Sequence, residues 1–276
     1  MEIRYSSHPE DVKYYTTEEL RDHFLITDLF QYGEIKSVYY HEDRMIVGSA
    51  MPTTAALVPE DGRQLGCAYF MERREMGILN IGGEGIVKAD GAEYSLQYSD
   101  ALYVGMGTKE LSFSSANPAD PAKFYFVSVP AHKSYECVKI SKAEAIVQRA
   151  GSEAQCNTRT IFQYIHPSVC KSCQLLMGVT TLDSGSVWNA PPFHTHERRA
   201  EAFLYFDMQE EDVVFYLMGH PTQTRHLVVR PREAVLSPSW SMHGGCGTGR
   251  YSLAWAMAGE NQAFGDMDAV SLADIQ

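Results

Sequence analysis

Almost every hydrophobic run in this chain is short and closed off by turn-forming residues. Segments 36–40, 85–88, 94–98, 123–128, 213–218, 226–230 and 251–256 are four to six residues long and rich in β-branched and aromatic side chains. Turn signals such as Ala89-Asp-Gly91 and Ser237-Pro238 sit between them. Runs of that length suit strands, and many short strands joined by Gly- and Pro-bearing turns build a sandwich or barrel. Helical signals are few. Residues 16–25 begin with a capping box, Thr16 with Glu19, and set Leu20, Phe24 and Leu25 on one face. Residues 141–149 repeat that signature and predict a second short helix, followed by a polar linker. The expected fold is mainly β with a few short helices.

The two halves also resemble each other. Met71-Glu-Arg-Arg-Glu-Met76 recurs as His196-Glu-Arg-Arg-Ala-Glu201, and Asp100-Ala-Leu-Tyr-Val-Gly105 as Glu233-Ala-Val-Leu-Ser-Pro238. The spacing is 28 residues from Glu72 to Asp100 and 36 from Glu197 to Glu233. A hairpin absorbs that difference easily, because loop length is entropically cheap. The pattern predicts two tandem barrels, residues 1–150 and 151–276, with the seam near residue 150.

The segment Pro191-Pro-Phe-His-Thr-His196 bears most directly on function. His194 and His196 alternate across Thr195, so on a strand both imidazoles share a face. Glu201 opens the next strand, and His243 follows the second repeat block. Three neutral imidazoles and one carboxylate converging inside a barrel make an N3O site for a divalent metal. In the first half, the repeat alignment sets Tyr69, Met71 and Met76 opposite His194, His196 and Glu201, and Glu110 opposite His243. Most of those counterparts cannot ligate, so the first barrel is expected to be metal-free and the second active.

Composition narrows the function classes. Against 23 Lys+Arg stand 35 Asp+Glu, a net charge of −12, which disfavours a nucleic-acid or anionic-membrane surface. The longest apolar stretches fall far short of a membrane span, and the N-terminal residues lack the basic-then-apolar pattern of a secretory signal. Six scattered cysteines make no disulfide scaffold, and the single Cys170-Lys-Ser-Cys173 pair lacks a zinc-ribbon partner. A cytoplasmic protein is expected. The glycine-rich Gly244-Gly-Cys-Gly-Thr-Gly249 lacks the Lys-Ser/Thr ending of a phosphate loop, and Trp188, Trp240 and Trp255 are candidates to line a sugar pocket.

These residues carry a resemblance. His194-x-His196-x4-Glu201 and Pro238-x4-His243 look like the two metal motifs of the cupin superfamily, in a branch marked by Trp240 and Gly247. A closer likeness spans nearly the whole chain. Asp43-Arg-Met-Ile-Val-Gly48, Phe70-Met-Glu-Arg-Arg-Glu75, Asn80-Ile-Gly-Gly83, Thr224-Arg-His226, Ser237-Pro-Ser-Trp-Ser241 and Gly259-Glu-Asn-Gln262 resemble the 5-keto-4-deoxyuronate isomerase family of bicupins, which act in polyuronide breakdown. The resemblance implies jelly-roll barrels and a Zn2+ ion at His194, His196, Glu201 and His243. It also implies a homohexamer, and a ketol-isomerase converting 5-dehydro-4-deoxy-D-glucuronate to 3-deoxy-D-glycero-2,5-hexodiulosonate. Mn2+ and Fe2+ suit the same ligands.

That chemistry needs a proton-transfer group and a cation for the substrate carboxylate. His226 is the expected base, because Arg225-His226 opens a strand between the two metal blocks. Arg225 is the first choice for the clamp, with Arg198 or Arg199 next. Recurrence of the Glu-Arg-Arg unit in the first half, at Arg73 and Arg74, favours a structural or interface role for Arg198 and Arg199. Two other readings use the same ligands: a metal-dependent dioxygenase, and a non-catalytic bicupin that binds a sugar acid.

Overall fold

The computed structural model describes residues 1–60 and 62–276. Two seven-stranded sheets dominate. In spatial order the first runs Glu2–Arg4, Ile35–Tyr40, Met45–Ala50, Phe124–Pro130, Arg74–Asn80, Ala101–Val104 and Val138–Ile140. The second runs Ile146–Ala150, Arg159–Ile165, Leu176–Leu182, Ser252–Gly259, Arg199–Phe206, Ala234–Ser237 and Leu25–Ile26. The five central strands correspond one to one, so the internal repeat is a repeat of topology. A three-stranded sheet faces each large one: Ala92–Leu96, Gly85–Ala89 and Leu111–Ser115 in the first half, Gln223–Val229, Val214–His220 and Gly244–Gly247 in the second. The hydrogen bonds do not run on from large sheet to small, so each half is an open pair of sheets, jelly-roll in kind.

Strand alternation sorts the side chains into three cores. Met76, Ile78, Phe113, Phe124 and Phe126 fill the first half; Phe203, Tyr205, Tyr216 and Trp255 fill the second. The intervening residues form a third core, where the two large sheets stack back to back. There Val47, Tyr125 and Val127 meet Val179, Ala202, Leu204, Ala254 and Ala256. Burial on both faces explains why the central strands read as unbroken apolar runs, and the alanines let the sheets approach closely.

The halves also trade polar contacts. Glu75, wholly buried, accepts bonds from the backbone N–H groups of Cys173 (2.6 Å), Gln174 (2.9 Å) and Leu175 (2.9 Å) and from the Tyr103 hydroxyl (2.8 Å). Asp43 accepts from the Ala200 N–H, and Glu42 from the N–H and hydroxyl of Ser239.

The predicted helix near the N-terminus forms as Thr17–Phe24 with its capping box intact. It belongs spatially to the second half: Leu20, Phe24 and Leu25 join that core, Leu25 pairs with Val235, and Arg21 donates to the Val228 carbonyl. The helix expected over 141–149 is absent. Ser141 and Glu144 make capping-type bonds around a single turn, and Ile146–Ala150 then becomes an edge strand of the second sheet. Two β-branched residues, Ile146 and Val147, and an available edge outweigh one turn of helix. No helix among the described residues is long and apolar enough to cross a membrane.

Candidate metal centre

His194 lies on the short strand Phe193–Thr195, Glu201 on Arg199–Phe206, and His243 immediately before Gly244–Gly247. Backbone pairing fixes two of them together: His194 and His243 form an isolated antiparallel bridge. Gly244 permits this approach, because a Cβ there would sit 2.4 Å from the Phe193 ring. The three histidines present ligand atoms within 4.8 Å of one another, the single such group among the described residues.

The distances are those of a shared ion. The Nε2 atoms of His194 and His243 are 3.0 Å apart, His196 Nε2 is 3.0 Å from Glu201 Oε2, and His243 Nε2 is 3.4 Å from the same oxygen. Ligand bonds of ~2.1 Å place neighbouring donor atoms about 3.0 Å apart in octahedral geometry and about 3.4 Å in tetrahedral. His196 Nδ1 is 3.0 Å from the Arg199 carbonyl, which can only accept, so Nδ1 carries a proton and Nε2 is the atom turned toward Glu201. Contact between that nitrogen and a carboxylate oxygen needs a cation or a proton between them. The donor set therefore fits a divalent metal, and the cluster can bind one.

Electrostatics keep two of the rings neutral. Burial, reinforced by the charge of His196, pulls the His194 pKa down to about 4. His243 is also lowered, first by burial and then by His194 and His196. His196 moves the other way: burial lowers it, but the bond and charge of Glu201 prevail and raise it.

His194, Glu201 and His243 open into a cavity of about 280 Å³ between the large sheet and the C-terminal segment, with Trp255, Phe264 and Met267 among its walls. That segment is strapped across by the strand Asp268–Val270, which pairs with Phe193–Thr195. Arg198 binds Asp266 and Asp268, and the buried Arg199 donates to the carbonyls of Ala263 and Asp266. In the first half the equivalent Arg74 is likewise buried and bonded to the carbonyls of Arg44 and Ser128. Both copies of that arginine serve as internal ties.

Arg225 and His226, the expected clamp and base, are not among the residues that line this cavity. On Gln223–Val229 the buried Leu227 and Val229 face the core, so the alternating His226 points outward and is exposed. The Arg225 guanidinium is spent on the carbonyls of Lys13 and Tyr15, beside a different cavity lined by Pro9, Lys13, His220 and Trp240. Of the three tryptophans, Trp255 alone lines the metal-site cavity. All six cysteines are free. Met71 and Met76 are buried in the first-half core, and Glu110 is exposed. Residues that sequence reasoning missed include Arg159, Gln148 and Asn189, which line the cavity without any recognisable motif.

A sequence model of the KduI/IolB family matches residues 25–273. Relatives named 4-deoxy-L-threo-5-hexosulose-uronate ketol-isomerase align along the entire length of both chains, including one from Caldicellulosiruptor bescii at 53% identity and one from Yersinia pestis at 50%. An IolB-like protein from Salmonella typhimurium superposes with a TM-score of 0.71 at 15% identity, covering 87% of this chain and 94% of its own. An oxalate decarboxylase structure gives 0.59 at 9% identity, covering 90% and 79%. These two likenesses bear on the fold, which is of cupin type.

Proposed function

Because the chain belongs to the KduI/IolB family, we propose that its second-half cavity is where a ketol isomerisation takes place at a divalent metal centre. The activity is that of its full-length relatives: an intramolecular isomerase of the uronate pathway, acting on 5-dehydro-4-deoxy-D-glucuronate. The finer reading assigns His194, His196, Glu201 and His243 as ligands and Zn2+ as the ion. It takes residues 1–150 as a metal-free structural half and 151–276 as the catalytic half, in a cytoplasmic homohexamer. The observation that carries the metal assignment is the convergence of three imidazoles within 4.8 Å of one another, with His196 Nε2 3.0 Å and His243 Nε2 3.4 Å from one buried carboxylate oxygen.

The reaction moves a proton between adjacent carbons while an aldehyde and hydroxyl become a hydroxymethyl group and a ketone. When bound, the cation supplies positive charge against the negative charge that develops on the two neighbouring oxygens. The chain's own residues hold that arrangement. The Arg199 carbonyl fixes the His196 tautomer and ring plane. The bridge between His194 and His243 sets two rings edge to face. Phe203, Trp255, Phe264 and Met267 give the cavity an apolar wall, and low polarity on that side strengthens charge interactions beside it. At about 280 Å³ the cavity has room for a monosaccharide acid.

Metal analysis joined to a ketol-isomerase assay tests the proposal. About one divalent ion per chain is expected, with turnover lost on chelation while the circular dichroism of the strands persists. Full activity in metal-free protein overturns the metal-centre reading. Oxygen consumption with substrate would instead favour the oxygenase alternative.

A further inference from the structure

The clamp for the substrate carboxylate, absent from Arg225, Arg198 and Arg199, has another candidate in the cavity wall. Arg159 begins the strand Arg159–Ile165 and is 8% exposed. Its Nη1 donates to the Asn157 carbonyl at 2.8 Å, and its Nη2 lies 3.3 Å from the Pro191 carbonyl. Two of five guanidinium N–H groups are thus occupied, leaving three without a partner among the described residues. Among those residues no carboxylate pairs with it. Burial depresses its basicity, and the one titratable neighbour that offsets this is Tyr251 rather than Glu201.

Buried arginines without acids occur twice more here, so burial by itself identifies nothing. Arg74 and Arg199 are tied to carbonyls in the same way, yet neither lines the cavity. Arg159 does, along with His194 and Glu201. The two carbonyl bonds hold the guanidinium in place before any ligand arrives, which lowers the ordering cost of binding. A planar fork at a desolvated wall suits a bidentate carboxylate. The cavity wall then carries two unlike groups: a cation with free donors, and a cluster whose rings and carboxylate suit hydroxyl and carbonyl oxygens around a metal.

We infer that Arg159 receives the substrate carboxylate, setting the opposite, reacting end of the six-carbon chain at the histidine cluster and making the enzyme selective for acids over neutral keto sugars. This rests on the isomerase reading above. It assigns Arg159 a binding role that a sequence search for metal motifs would not reveal.

The test compares two substrates: the keto-uronate, and its neutral counterpart with the carboxylate reduced to a primary alcohol. In Arg159→Gln, kcat/KM for the acid should fall about 100-fold or more, because one partner of a buried charge pair is gone. The value for the neutral sugar should change by less than about 3-fold, and Arg159→Lys should recover part of the acid activity. D-glucuronate and its methyl ester provide a second readout by calorimetry, with the acid's advantage in affinity lost in the Gln variant. An equal loss on both substrates would mean that Arg159 only braces the loops at Asn157 and Pro191, and the inference fails. Undiminished acid activity in Arg159→Gln also overturns it. Failure of the wild-type enzyme to turn over the keto-uronate would overturn the isomerase reading instead, while the glucuronate comparison would still decide whether Arg159 selects carboxylates.

Discussion

Replacing Glu75 by glutamine changes two atoms in shape very little and four hydrogen bonds in kind. The carboxylate accepts from the N–H groups of Gln174 and Leu175 on Oε1, and from the Cys173 N–H and Tyr103 hydroxyl on Oε2. In Glu75→Gln the amide oxygen can keep the first two. The amide nitrogen then faces the other two, and although the tyrosine hydroxyl can rotate to accept, the Cys173 N–H cannot. Stranding a buried N–H costs about 1–3 kcal/mol, and turning charged hydrogen bonds into neutral ones costs about 1 kcal/mol each. Relief from burying a formal charge offsets part of this. A net loss of about 3 kcal/mol is expected, a fall in Tm of about 6–12 °C for a chain of this size. Scanning calorimetry at fixed protein concentration and scan rate checks it, with kcat at 25 °C expected to stay at the wild-type value. A Tm within about 2 °C of wild type would refute the reasoning, since the negative charge would then contribute nothing to joining the halves.

Glu201→Gln keeps the side chain's outline but removes its charge. Metal affinity should drop by at least about 100-fold, beyond the usual effect of losing a group that merely bonds to a ligand, as read by competition with a chelator. Glu110→Ala, at an exposed position, should leave metal content and turnover unchanged. For metal-free protein, the depressed pKa values of His194 (about 4) and His243 mean that the unfolded chain binds more protons below about pH 6.5. Stability is therefore fully present above that pH and falls toward pH 4. His196, being raised, contributes stability at low pH that is lost as pH rises through its folded value, and so partly opposes them. A urea midpoint that rises from pH 6.5 to pH 4 would contradict the balance of two rings against one. Gly178→Ala should push Trp255 from its place, because the new Cβ would lie 2.2 Å from the indole. A loss of about 1–3 kcal/mol with a raised KM is expected from denaturation curves and steady-state kinetics.

Local patterns carried the parts of the molecule that depend on local geometry. His-x-His across one residue puts two rings on one face wherever the backbone is extended, and Thr16 with Glu19 caps its helix without help. The one-to-one match of central strands was legible through the Glu-Arg-Arg repeat. What failed depended on distant partners. The signature at Ser141 and Glu144 is genuine, but an open sheet edge took the residues that followed it. Arg225 stands between two metal blocks in the sequence, yet carbonyls some 210 positions away claim it. Arg159 bears no motif, since its significance comes from what is missing around it. Neither the C-terminal strap nor the role of Glu75 can be read without the fold that brings their partners near.

The helix Thr17–Phe24 and the groove it fills are made far apart in translation. Arg21 and the Val228 carbonyl it binds are 207 positions apart. At roughly 5–20 residues per second, the helix emerges about 10–40 s before its seat exists. Throughout that interval Leu20 and Phe24 have nothing to cover them, and a peptide this short holds its helical form only weakly in water. The nascent chain thus carries a greasy helix face in need of shelter, and strands made some two hundred residues later are the ones that release it from that exposure.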